Sequence, residues 1–406
     1  MSVPTAPGVS LVRLLDPAVL ADPYPLHRQL REESPVYWDP YLSAWVCTRY
    51  ADVVEVLSRY SAARTPTPER LESLGMGVLA PIAAVMVRQM LFLDPPDHGR
   101  IRGLAHVAFT ARRVAHLRER IQVITEELLD EVAPRGQADV MADLAAPLPA
   151  IVTAEMLGVP VADHVLLKQW SASFAEMLGN FQHNPGRTPA VLQAVSDMRE
   201  YFRTAIRAES TRPTAGLVNA LVNAEIDGDR LSEDDIIANV IVTMVGGQET
   251  TTNLIGNGLL TLLRHPEAQA QLRSDPSLLP SAVEELLRYE SPSQHTARLA
   301  PADAVLGGHE IAEGQAVIAV MAAANRDPER FPDPDRLDLR RQDNRHLAFG
   351  WAGHFCFGAP LARMEGAIAL GAVLRRFGHL RLETDEVTWR PNLGLRGLTA
   401  LPISCR

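Results

Sequence analysis

The sequence predicts one mainly α-helical domain with a small β portion, spanning residues 1–406. Apolar residues recur three and four apart over long stretches, the spacing of buried helix faces. Strand-like runs are few and short. No stretch is polar or long enough to separate two domains, and there is no internal repeat.

Helical spacing is clearest at Ala115 to Val132, Ala190 to Ala208 and Asp234 to Arg264. In the third stretch Ser232, with Asp235 three residues on, predicts a capping box in its Asp form, and Pro266 marks the stop. About 30 residues give a rod of ~45 Å, enough to cross the domain. The middle of the rod is apolar nearly all round, which predicts a buried central helix. Strand-like pieces fall at Pro35 to Cys47, Ala304 to Ile311, Ala316 to Val320 and Leu380 to Ile403. Asp94-Pro95-Pro96 and Phe331-Pro332-Asp333-Pro334 punctuate the chain, and the first predicts a helix start.

Composition excludes several functions. A net charge of −10 argues against a nucleic-acid binder. Lys168 is the only lysine, so positive charge is almost all arginine, which binds carboxylates through a planar fork. Biased codon usage explains this equally well. Three cysteines, Cys47, Cys356 and Cys405, without a CxxC pair, speak against a disulfide framework and iron–sulfur clusters. The first residues lack the pattern of a secretory signal. The best apolar run, Ile236 to Val245, is too short to span a bilayer and contains Asn239. The expectation is a cytoplasmic protein with no membrane segment.

Chemistry concentrates in four places. Cys356 lies in Phe349-Gly350-Trp351-Ala352-Gly353-His354-Phe355-Cys356-Phe357-Gly358, just before a helix-like run. Glycines let backbone pass close to a flat cofactor, and N–H groups at a helix start can tune a thiolate. A lone cysteine is otherwise a small buried hydrophobe. Zinc on His354 and Cys356 has only His346 nearby as a third ligand. Second, Gly246-Gly247-Gln248-Glu249-Thr250 places two glycines and an acid beside a hydroxyl in mid-helix. The glycines cost about 2 kcal/mol against alanine, so a ligand or a local distortion should compensate. Alternatively Thr250 bonds back to the Gly246 carbonyl. Third, Glu285 and Arg288 meet at i and i+3. Fourth, His98 and Arg102 share a helix face and suit a dianion.

These motifs, in this order between residues 94 and 363, resemble the cytochrome P-450 family. The resemblance implies a single cytochrome P-450-type domain with heme b buried between the central helix and the cysteine loop. It implies Cys356 as iron ligand, with Phe349, Gly350, Gly358 and Gly246 against the cofactor. His98, Arg102, Arg298 and His354 would hold its propionates. Glu249 and Thr250 become the acid–alcohol pair that relays protons to dioxygen. Glu285 and Arg288 become a buried structural pair, with Arg336 as third partner or Arg330 as its rival. Ala352 stands where the family commonly has glycine; if that position needs φ > 0, the turn has shifted by one residue or accepts alanine with strain.

The implied activity is insertion of one oxygen atom from dioxygen into a small organic substrate, in bacterial secondary metabolism. Peroxygenase, coupling or nitration chemistry, or a haem sensor, are the alternatives. Gly75-Met76-Gly77 lacks the strand and acid of a dinucleotide loop, so NAD(P)H electrons should arrive through a ferredoxin and its reductase. Arg112, Arg113, Arg340, Arg341 and Arg345 are a candidate docking face on a monomer. Position suggests Val242, Val245, Gln294, His295, Leu393 and Leu395 as substrate contacts.

Overall fold

The central helix runs Glu233–Arg264 and is the element on which the helical bundle is assembled. The structure is a computed structural model and describes residues 10–108, 111–179, 185–209 and 211–405. The capping box forms as the sequence predicts: Asp235 N–H donates to Ser232 Oγ at 3.1 Å, and Ser232 N–H to Asp235 Oδ2 at 3.3 Å. Helices Pro147–Leu157, His164–Gly179, Thr188–Glu209, Leu279–Tyr289 and Ala359–Arg376 pack around it. Close packing is possible where the helix lacks side chains. A Cβ on Gly258 would press on Leu370 and Leu286, and one on Gly256 on Met141.

A four-stranded sheet flanks the bundle. Its order is Val36–Asp39, Ala44–Cys47, Ala316–Ala319, Thr296–Leu299. The middle pairing is parallel and the outer two antiparallel, with Arg298 opposite Val317. The strand Thr296–Leu299 is absent from the sequence-based expectation; it is short, and Arg298 breaks its apolar character. A three-stranded sheet joins Gln137–Asp139, Pro402–Cys405 and Leu380–Leu382, and a hairpin joins Ala304–Leu306 to His309–Ile311. The large core follows the helices, and two smaller clusters sit on the sheet. Among the described residues no helix is long and apolar enough to cross a membrane.

The proline-marked turn differs in detail from expectation. The helix begins at Asp97, and the Asp94 carboxylate caps nothing. It accepts from Ser61 Oγ at 2.5 Å and from Ala62 N–H at 2.8 Å, pinning the segment after helix Tyr50–Arg59.

Candidate active site

The cysteine loop is closed by its own backbone. Cys356 N–H donates to Phe349 O at 2.7 Å and Gly350 N–H to Leu347 O at 2.9 Å. Gly350 has φ 70 and Ala352 φ 51. The turn therefore keeps its left-handed residue at Ala352 and accepts the strain of a side chain there, instead of shifting to Gly353. Helix Ala359–Arg376 starts just after the cysteine. Burial pushes the Cys356 thiol up, while N–H groups of Gly358 and Ala359 and the charges of Arg102 and Arg363 pull it back. A metal at the sulfur would hold it as the thiolate, already provided with these donors.

An anion cradle lies beside the loop. His98 and His354 stack with ring centroids 4.1 Å apart. Burial, then Arg298, hold His354 down to about 3; burial and Arg102 lower His98. Arg298, 3% exposed, donates to Ala297 O at 2.9 Å, yet its Nε has no partner, nor has His98 Nε2. Buried donors are normally satisfied, so these orphans point to an acceptor that the chain does not supply. Arg102 donates to Phe355 O at 2.6 Å, next to the cysteine. A Cβ on Gly246 or on Gly358 would meet no described atom within 4 Å. A half-buried sulfur, orphan donors and side-chain-free backbone around one space fit a flat, iron-bearing dianion such as haem. Among the described residues no cluster of His, Cys, Asp and Glu forms another metal site, which leaves the zinc alternative without ligands.

The central helix passes this space without interruption, so the two glycines make room and do not break it. Thr250 lines the cavity and its Oγ1 donates to Gly246 O at 2.6 Å. Its neighbour Glu249 turns away from it, 1% exposed, to Lys168 and to Arg390 Nη1, the latter at 2.8 Å. Burial pushes Glu249 up, but the two cations outweigh it and the net shift is downward. Sequence reasoning found the acid and missed its clamp; that Lys168 is the only lysine was the available signal. Glu365, nine positions after Cys356, was missed too. It lines the cavity, 2% exposed, and burial pushes it up to about 8.

Glu285 and Arg288 are both fully buried and paired through two bonds of 2.8 and 2.7 Å. Their third partner is neither Arg336 nor Arg330. Arg341 Nε lies 3.2 and 3.1 Å from the two Glu285 oxygens. Arg336 contributes its carbonyl, and its side chain pairs with Asp338; Arg330 pairs with Asp343. Arg341, with a side chain 7% exposed, is therefore removed from the docking face. Arg340 and Arg345 remain on the surface, Arg113 leans on Gly216 O, and the Arg112 side chain lies outside the described residues.

The cavity measures about 320 Å³ and is mostly apolar. Val242, Val245, His295 and Leu395 line it, as do Phe349, Gly350, Arg102, Arg298, His354 and Cys356. Gln294 and Leu393 do not. Gln294 Nε2 donates to Ser291 O at 2.6 Å, and Leu393 packs into the core cluster beside the sheet. Burial holds His295 down to about 3, and its ring bonds to the Leu393 carbonyl, so it is neutral.

A helical domain that sets one cysteine opposite a glycine-bearing central helix, next to unsatisfied anion donors, is the architecture of a haem-thiolate protein. The Cytochrome P-450 family model matches residues 45–396, and the chain belongs to that family. It is 43% identical over 369 residues to cytochrome P-450 107B1 of Saccharopolyspora erythraea, covering 89% of each chain. It is 40% identical over 396 residues to the cytochrome P-450 monooxygenase PikC of Streptomyces venezuelae, covering 95% of this chain and 92% of that one. Among solved structures it is similar to P450BioI in complex with hexadec-9Z-enoic acid ligated acyl carrier protein. The TM-score there is 0.90 at 34% identity, over 96% of this chain and 99% of the other. The chain is a haem-dependent monooxygenase that uses dioxygen, a small-molecule substrate and NAD(P)H-derived electrons delivered by redox partners.

Proposed function

We propose that Cys356 is the iron ligand of heme b and that His98, Arg102, Arg298 and His354 hold its propionates. On this reading residues 1–406 act as one domain, a cytoplasmic monomer that oxidises an intermediate of bacterial secondary metabolism. The observation that carries it is the convergence of the half-buried Cys356 sulfur with the orphan donors His98 Nε2 and Arg298 Nε. When bound, haem supplies the dioxygen chemistry itself, and thiolate donation favours O–O cleavage.

The chain supplies position, dryness and protons. Val242, Val245 and Leu395 exclude water and hold an apolar substrate face. Thr250 offers a hydroxyl inside the cavity. Glu249 stores negative charge one residue away, so a proton bound for Thr250 must cross when the carboxylate leaves one of its cations, or through water. Lys168, with a side chain 20% exposed, is the link between Glu249 and solvent. Electrons come from a ferredoxin with its reductase. Arg340 and Arg345, with side chains 62% and 73% exposed, contribute to its docking face. The names of the relatives, which include a monooxygenase and 6-deoxyerythronolide B hydroxylase, support oxygen insertion over peroxygenase or sensor roles.

The test is the optical spectrum of the reduced protein with and without carbon monoxide. A strongly red-shifted Soret band, lost in Cys356→Ala, is the expected result. Folded, haem-supplied protein without haem absorbance overturns the assignment. Size-exclusion chromatography and cell fractionation check the monomeric and cytoplasmic parts.

A further inference from the structure

A second cavity of about 440 Å³ opens beside the first, and the two share Arg64, His295 and Thr296. Its walls are apolar and rich in methionine, including Leu71, Ile82, Met86, Phe92 and Met177. Arg64 thus stands at the neck between a cavity that holds the chemistry and one that the chemistry does not use.

The position of Arg64 is built. Asp94 grips Ser61 and Ala62, and Arg64 N–H donates to Ala62 O at 2.8 Å, so the backbone is fixed just before the arginine. The guanidinium sits 4.6 Å from the centre of the Phe92 ring, an arrangement that aims its edge while covering its face. Its one hydrogen bond is long, 3.4 Å to Ala62 O. Several other arginines are matched by a carboxylate: Arg88 by Asp235, Arg390 by Glu249, Arg396 by Glu290. Among the described residues no carboxylate pairs with Arg64. Burial and the nearby Arg298 hold it down to about 9, so it stays charged at neutral pH.

Counting charge sharpens this. Three guanidiniums line the first cavity, those of Arg64, Arg102 and Arg298. Heme b brings two carboxylates. Glu365 is the one acid lining either cavity, and burial pushes it up to about 8, which leaves it protonated at neutral pH. His295 is neutral. Asp94, outside the lining, acts on Arg298 and not on Arg64, so the guanidinium left without an anion is the one farthest along toward the apolar second cavity. A planar fork beside an apolar wall recognises a carboxylate carried by a hydrocarbon body.

We propose that Arg64 binds the carboxylate of an amphipathic substrate, with part of the apolar body in the second cavity and the part to be oxidised in the cavity that Cys356 and Thr250 line. This rests on the haem-site reading above and names the substrate class for it. The same carboxylate chemistry could come from a haem propionate, and the test separates the two sources.

Decanoic, dodecanoic and tetradecanoic acids and their methyl esters are titrated into the holoenzyme, and binding is read from the shift of the Soret band. The acids are expected to bind about tenfold or more tightly than their esters, the scale of a charge-assisted hydrogen-bonded pair. Arg64→Gln should abolish that preference, and Arg64→Lys should restore part of it, with haem content and the carbon monoxide band unchanged. Equal binding of acids and esters by the wild type overturns the proposal, as does no shift with any of the acids. So does an Arg64→Gln protein whose haem content falls while its remaining holoprotein keeps the acid preference, because the carboxylate is then haem's own. Wild-type protein without a carbon monoxide band is a separate failure, that of the haem-site reading.

Discussion

Two charged clusters flank the cysteine loop and are built on opposite rules. Around Glu285 the chain partners every charged group. Arg288, Arg341, Asn344 Nδ2 and Asp338 N–H all reach its carboxylate, and Arg288 spends its remaining donors on Asn325 O, Pro334 O and Arg336 O. Around His98, His354 and Arg298 the chain leaves donors open. Both clusters are buried, so desolvation is costly in each. The first offsets that cost within the fold. The second defers it to a ligand. Buried charge that is fully partnered by the chain holds the frame, and buried charge left unpartnered shows where something else binds.

The largest test of this contrast is Glu285→Ala. It strands two buried guanidiniums and should cost about 3–5 kcal/mol. Thermal unfolding and holoprotein yield check this; a loss under ~1 kcal/mol would make the network a surface-like pair and erase the comparison. Glu365 comes next. Its folded pKa is raised from 4.5 to about 8 by burial. Between those values the unfolded chain gives up the proton while the native chain keeps it. Stability should therefore fall by a few kcal/mol as pH rises from near 4.5 to near 8, then level off. Glu365→Gln carries no such proton and should flatten that slope in urea unfolding.

A third test concerns turnover. Glu249→Gln should slow oxidation by about a hundredfold, the scale of a lost acid–base group, with the haem spectrum unchanged. An unaltered rate, measured with saturating reductant, would remove Glu249 from proton delivery. Arg298→Ala sharpens the open side. Removing an unpartnered buried cation should leave the apoprotein as stable as before, or more so, while haem binding weakens about tenfold. Equal destabilisation of apo- and holoprotein would place Arg298 with the closed cluster. The smallest effect is Ala352→Gly, which relieves a left-handed alanine and should stabilise by about 1 kcal/mol in denaturant unfolding.

Much of this was legible in the sequence where regular structure fixes side-chain direction. The Ser232–Asp235 box, the Glu285–Arg288 pair and the shared face of His98 and Arg102 follow from helical spacing. Directions failed where the backbone is irregular. Residues 325–351 form only turns and bends, so no period says which of several arginines reaches Glu285, and Arg341 wins over Arg336 through the winding of the loop. Gln294 and Leu393 fall outside the cavity lining; they lie on irregular segments joined by Gln294 N–H to Gly394 O, where no period sets side-chain direction. The clamp on Glu249 unites helix His164–Gly179, the central helix and the C-terminal turn, contacts far apart in sequence that no local pattern announces.

The lone lysine carries one more consequence. Apart from the α-amino group, Lys168 gives an amine-reactive reagent a single target in the chain, and that target is one jaw of the Glu249 clamp. Its labelling rate would count how often the jaw opens, and once acetylated it would leave Glu249 to Arg390 alone. A chain so rich in arginine thus carries a built-in address for a dye, at the one ion pair whose opening matters to turnover.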